Sequence, residues 1–152
     1  MIRVVSGDQA GADQAGWRAA RSLGLPTGGW MPRGFETEAG PRPEFATMYG
    51  ARELAGGYRE RTQANARDSD ATAWFGNPES PGGRATLRAC RALDRPVFLI
   101  RAGVTRPSDL TAWLVERSVQ VLNVAGNREL TEPGIGARVE RFLVAALGRQ
   151  AY

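Results

Sequence analysis

Apolar and polar positions along this chain group into short apolar runs that alternate with longer stretches of helical period. Residues 2–6 (Ile-Arg-Val-Val-Ser) form an apolar run stopped by Gly7, which predicts a short buried strand. A helix follows from about Asp13 to Leu23, with Trp17, Ala20 and Leu23 on one face, Gly24 at its end and Pro26 beyond. Residues 27–31 predict a second strand interrupted by glycines. Residues 32–49 are rich in proline and glycine and predict a long loop, and Ala51–Arg67 predicts a helix broken at Gly56-Gly57. Residues 71–75 form a third strand, a turn-rich loop spans Gly76–Gly83, and a helix runs from about Gly83 to Leu93. Pro96–Ile100 is the clearest buried strand. Pro107 opens a helix with Leu110, Trp113 and Leu114 inward, and Val119–Val124 is a fifth strand. Pro133 opens a last helix whose stripe is Ile135, Val139, Phe142, Leu143, Ala146 and Leu147, ended by Gly148.

Strands alternating with helices imply right-handed crossovers, and so a mainly parallel sheet with helices on both faces. We therefore expect one α/β domain over residues 1–152, with five strands in the order 2-1-3-4-5. The reversal of strand order would then fall between strands one and three, and ligands bind there at the carboxyl ends of strands.

Composition narrows the chemistry. The chain has no histidine and one cysteine, Cys90. Histidine bases, histidine-held zinc, cysteine-cluster metal sites and internal disulfides are excluded. All 20 basic residues are arginine, so no lysine can serve a P-loop or a Schiff base. The net charge of +4 comes from scattered arginines, which signal no nucleic-acid face. No apolar run approaches a membrane span and no signal peptide is visible, so a cytoplasmic protein is expected.

Two turns carry the candidate site. Ser6-Gly7-Asp8-Gln9-Ala10-Gly11-Ala12-Asp13 joins strand one to its helix, and Ser80-Pro81-Gly82-Gly83-Arg84-Ala85-Thr86 follows strand three. Glycines at a helix start let the backbone approach a ligand, and the amides there favour an anion. Thr86 adds a hydroxyl. The competing reading, given less weight, is a plain tight turn in each case, the first with Asp13 as a helix cap. Three other segments could ring the same crevice. Gly28–Gly34 brings Trp30 and Arg33, the second able to reach a phosphate. Arg61, Asn65 and Asp68 are spaced to share a helix face. Asn123, in an otherwise apolar strand, needs a hydrogen-bond partner.

These segments together resemble a known family. Ser-Gly-x-Gln-x-Gly-x-Asp, Gly-Gly-Trp-x-Pro-Arg-Gly, Arg-Thr-x-x-Asn with Asp-Ser-Asp, Gly-Gly-x-x-Thr and Leu-Asn-Val-Ala-Gly-x-Arg-Glu occur in that order, from Ser6 towards Leu147. The chain is similar to the molybdenum carrier protein family of the Rossmann-like SLOG superfamily, which also holds the lysine-decarboxylase-like LOG proteins. The resemblance implies a Rossmann-like domain that binds a phosphate-bearing, nucleotide-like ligand, with molybdenum cofactor or molybdate as candidates, and a homo-oligomer. It implies that Gly7, Gln9, Gly11, Gly82, Gly83 and Thr86 hold phosphate or oxyanion, and that Arg33, Arg61 and Asn65 line the pocket. Asp8 stands where the family usually has glycine, so it joins the candidate set as a carboxylate beside the anion site. Ala10 stands for a usual threonine and Met31 for a frequent cysteine. LOG enzymes cleave nucleoside monophosphates with a glutamate at the position of Ala89, so an enzyme of that kind would need another carboxylate. A nucleotide-sensing regulatory protein is the third alternative.

Overall fold

A computed structural model describes residues 1–148. Six parallel strands form the main sheet: β1 (Arg3–Ser6), β2 (Thr27–Met31), β5 (Ala51–Glu53), β6 (Ala71–Phe75), β7 (Val97–Ile100) and β8 (Val121–Gly126). A two-stranded antiparallel hairpin, β3 (Glu36–Thr37) and β4 (Gly40–Pro41), stands apart from it. The helices are α1 (Ala12–Ser22), α2 (Phe45–Tyr49), α3 (Tyr58–Arg67), α4 (Pro81–Ala92), α5 (Pro107–Glu116) and α6 (Ile135–Gly148). Helices α1, α5 and α6 pack together on one face of the sheet, and α3 and α4 pack together on the other.

The α/β class, the parallel sheet and the two helical layers are as the periodicity requires. The strand order is not: it runs β5-β2-β1-β8-β6-β7. The expected 2-1-3-4-5 fails because the fifth expected strand, β8, inserts between the first and third. Alternation fixes direction and handedness but not how far a crossover travels, and α5 carries the chain back past β6. Burial selects this place. Leu122 and Val124 are fully buried and join the core formed with α1, α5 and α6, each contributing about 1.5–3 kcal/mol. Asn123 points to the other face, where its Nδ2 donates to Thr72 Oγ1 at 3.1 Å. Its partner is thus a neighbouring strand. Register is set by Val5 opposite Asn123 and Thr72 opposite Asn123 on the two sides.

A second correction concerns Ala51–Arg67. Only Tyr58–Arg67 is helical; Ala51–Glu53 is a sixth strand, paired in parallel with β2. Three residues show no period, and an edge strand draws its stability from its partner rather than its own pattern. The long loop of residues 32–49 is also structured. Phe45 and Tyr49 of α2 pack on Trp17 of α1, with the Trp17 and Tyr49 rings stacked at 4.8 Å. Trp17 Nε1 donates to the Gly28 carbonyl at 2.8 Å. This aromatic cluster anchors the segment that carries the β3–β4 hairpin over the carboxyl edge of the sheet.

Candidate functional site

The β1–α1 turn is built around a buried charge cluster. Gly7 has no side chain, and a Cβ there would lie 2.5 Å from Arg61 Nη1 and 2.7 Å from Asp13 Oδ2. The gap lets the α3 guanidinium reach under the turn. Arg61 Nη1 lies 3.5 Å from Asp13 Oδ2, and Arg61 Nε lies 3.8 Å from Asp8 Oδ1. All three side chains are buried. Among the described residues, the buried side-chain polar atoms without a hydrogen-bond partner are Asp8 Oδ1, Asp8 Oδ2 and Arg61 Nε.

Burial dominates the electrostatics here. It raises the Asp8 pKa to about 7, with Arg61 pulling down and Asp13 and Glu38 pushing up. Burial also raises Asp13 to about 6, opposed by Arg61 and by the main-chain N–H groups of Gln9 and Gly126. Glu38, at the tip of the hairpin, accepts the Ala10 main-chain N–H. The Tyr58 ring lies against Arg61, with the guanidinium carbon 5.6 Å from its centroid. One cation thus faces three carboxylates. That balance disfavours a bare oxyanion such as molybdate at this turn and suits a group with hydrogen-bond donors. No cluster of three acidic, histidine or cysteine side chains arranged to hold a metal ion occurs among the described residues.

The β6–α4 turn is organised differently. Ser80 is the N-cap of α4, its Oγ accepting the Gly83 N–H at 3.1 Å, with Pro81 at the first helical position. A Cβ at Gly83 would lie 2.6 Å from the Pro78 carbonyl oxygen, so this glycine serves the close approach of the 77–78 backbone. Gly82 is exposed, and a Cβ there would meet only Trp74, at 3.9 Å. Thr86 is buried one turn further along.

The loop leaving β8 joins the two turns. The Asn127 carbonyl accepts Ala12 N–H at 3.2 Å, and Glu129 N–H donates to the Ala10 carbonyl at 2.8 Å. On the other side, Asn127 Oδ1 accepts Asn77 N–H at 2.7 Å and its Nδ2 donates to Ser80 Oγ at 3.0 Å. Gly11, at φ 119°, leaves no room for a Cβ, which would lie 2.6 Å from Glu129 N. Glu129 in turn accepts Gly134 and Gly136 N–H at the start of α6, and these bonds hold its pKa below the usual glutamate range. The expected crevice between strands one and three therefore contains β8 and its exit loop.

The remaining expected residues divide. Gln9 sits half-buried in the first turn, its carbonyl accepting Gln14 N–H. Asn65 bonds both ways to the Trp30 main chain, at 2.8 and 3.2 Å. Trp30 Nε1 donates to Asp68, at 2.7 Å, while Arg52 stacks on its ring at 4.3 Å. Asn65 and Asp68 thus secure the end of β2. Arg33 is exposed, with no side-chain hydrogen bond or ion pair among the described residues. Asp13, offered as a helix cap, caps no helix and sits instead in the buried charge cluster, while Glu38, Tyr58 and Asn127 carry site roles that the pattern left unassigned. For the last three, only the folded chain brings them to the turns. A further cavity, about 560 Å³, opens at the carboxyl ends of β6 and β7 between Phe75, Ile100, Ile135 and Phe142, with Arg101 and Arg138 also lining it.

A parallel α/β domain with glycine turns and polar side chains gathered at its carboxyl edge defines a Rossmann-like protein of the ligand-binding kind. The model of the circularly permutated YpsA SLOG family matches residues 4–147, and the chain belongs to that family. Permutation fits the strand order, since it places a last strand beside the first at the sheet centre. The crystal structure of a protein described as "Putative molybdenum carrier protein", from Syntrophus aciditrophicus SB, superposes with a TM-score of 0.86. The two are 31% identical over 97% of this chain and 95% of that one. The resemblance read from the five motifs is thereby borne out. No curated protein matches the chain.

Proposed function

We propose that this protein binds and carries a phosphate-bearing, nucleotide-like small molecule at the carboxyl edge of its sheet, with molybdenum cofactor as the candidate cargo. The observation that carries the reading is the tie through Asn127, which fixes the β1–α1 and β6–α4 turns as one rigid surface. The relative described as a molybdenum carrier supports the choice of cargo. Charge divides the surface. The first turn, with three carboxylates around Arg61, suits the ring of such a ligand. The second, with the exposed Gly82 at a helix start and Arg84 beside it, suits the phosphate. Gly7, Asp8, Gln9 and Arg61 belong to the first part and Gly82, Gly83 and Thr86 to the second. Gly11 shapes the turn, Asn65 holds β2, and Arg33 stands free to meet ligand. Native mass spectrometry with elemental analysis tests the reading. A co-purifying phospho-ligand, with or without molybdenum, supports it. Finding neither, together with no thermal shift from nucleoside monophosphates, sinks it.

Asp8, poised near neutral pH, favours one second reading: hydrolysis of the N-glycosidic bond of a nucleoside monophosphate, with Asp8 giving a proton to the departing base while water adds to the ribose C1′, and with Ala89 excluded. Chromatographic detection of free base from AMP or GMP, lost in Asp8→Asn, is its test. Homo-oligomer formation belongs to the same proposal and is checked by light scattering.

A further inference from the structure

The three unpartnered buried atoms form a pattern. Asp8 offers two acceptors, Oδ1 and Oδ2, and Arg61 offers one donor, Nε, 3.8 Å from Oδ1. Buried polar groups are almost always hydrogen-bonded, and a buried carboxylate with both oxygens bare is expensive to keep. Asp13, in the same cluster, is favoured in its charged form by the main-chain N–H groups of Gln9 and Gly126, whereas at Asp8 only its own main-chain N–H bears on the carboxyl, and neither oxygen is hydrogen-bonded. Acceptor, acceptor, donor is the complement of a donor, donor, acceptor edge. A 2-amino-4-oxopyrimidine ring, as in guanine or a pterin, carries that edge: an amino group, a ring N–H and a carbonyl oxygen.

We propose that Asp8 and Arg61 read the amino, ring N–H and carbonyl edge of a 2-amino-4-oxopyrimidine ring. Asp8 accepts the two N–H groups side by side and Arg61 Nε–H donates to the carbonyl. The inference rests on the ligand-binding reading above and names the ring it selects. A neutral amide at position 8 presents one donor and one acceptor and cannot make this match. Adenine and hypoxanthine lack part of the edge. The Arg61 guanidinium, 3.8 Å from Asp8 and 3.5 Å from Asp13, opposes a metal cation at this place. A single water bridging Nε and Oδ1 would leave one acceptor bare.

Asp8 is fully covered, so a ring reaches it only when something moves. The hairpin carrying Glu38 is the candidate to move: Glu38 is exposed, is hydrogen-bonded to the turn at Ala10 N–H, and its charge acts on Asp8. The charged and titratable groups facing Asp8 are Arg61 and Tyr58 from α3, Asp13 from α1 and Glu38 from the hairpin. Two N–H donors favour the ionised carboxylate, so ring binding near pH 7 releases a proton.

Isothermal titration calorimetry of the full chain with guanosine, inosine, adenosine and their 5′-monophosphates tests the proposal. Guanosine should bind about tenfold or more tighter than inosine and adenosine, with proton release, and Asp8→Asn should remove that preference. Thermal unfolding confirms that the variant is folded. As an independent measurement, guanosine should shift the Asp8 carboxyl carbon resonance of the unmodified protein. Equal binding of GMP, IMP and AMP overturns the edge reading and leaves the carrier reading standing. Guanosine preference with no gain from a phosphate upholds the edge and overturns the phosphate site. No binding of any of the six overturns the edge reading, and joined with no co-purifying phospho-ligand or molybdenum it overturns the carrier reading as well.

Discussion

At the scale of single residues, Asp8 governs the energetics of the site. Its carboxyl titrates near 3.8 in the unfolded chain and near 7 in the folded one. Between those values the folded state holds a proton that the unfolded state has lost. Stability from this group is therefore greatest below about pH 4, falls as pH rises through the window, and carries the full penalty above pH 7. Asp13 adds the same sign of dependence between about 4 and 6. Asp8→Asn removes the buried charge while keeping the shape. We expect its melting temperature at pH 8 to exceed that of the parent by about 3 °C or more, with the difference shrinking towards pH 4.5. Calorimetric melts across that range check it, and a variant less stable than the parent at pH 8 refutes the buried-charge account. A buried carboxylate that costs stability is a candidate for a group that serves a ligand.

The elements carry a different lesson, about why the glycines are there. In the β6–α4 turn the two adjacent glycines are not equivalent. Gly83 is required by the turn itself, because any side chain meets the Pro78 carbonyl. Gly83→Val should cost about 1–3 kcal/mol of stability through overpacking, so loss of binding in that variant would report on folding. Gly82 has room, and in a helix alanine is preferred to glycine by about 1 kcal/mol. Gly82→Ala should therefore leave the melting temperature unchanged or raised while weakening GMP, which isolates the approach of the backbone to phosphate. In the β1–α1 turn, Gly11→Ala places a Cβ 2.6 Å from Glu129 N at a positive φ. A loss of about 1–3 kcal/mol in chemical denaturation is expected.

For the molecule as a whole, the place of β8 decides what the carboxyl edge can be. Inserted between β1 and β6, it sets the two glycine turns one strand apart and fills the gap with Asn127. Asn127→Ala would leave Asn77 N–H without its acceptor and free Ser80 Oγ of one bond, costing about 1–3 kcal/mol. Hydrogen exchange should then show faster exchange at Asn77 without loss of protection in β6, and weaker binding of any ligand that spans both turns. Unchanged exchange at Asn77 would show that the turns hold their positions without the tie.

Much of this was legible from residue order alone. Apolar runs at Ile2–Ser6, Ala71–Phe75 and Pro96–Ile100, each bounded by glycine or proline, determined where strands begin and end. The alternation with helices determined that they run parallel, because the handedness of a crossover is a local property of the chain. The glycine turns, Arg61 and the anomaly of Asp8 were visible for the same reason. Three things awaited the folded chain. The strand order depended on which apolar strand is buried most completely, a competition among distant segments. The edge strand Ala51–Glu53 was invisible because three residues have no period and β2 supplies its hydrogen bonds. The meeting of Asp8 with Arg61, Asp13 and Glu38 joins residues up to 53 positions apart, and only tertiary packing brings such charges together and excludes water from them.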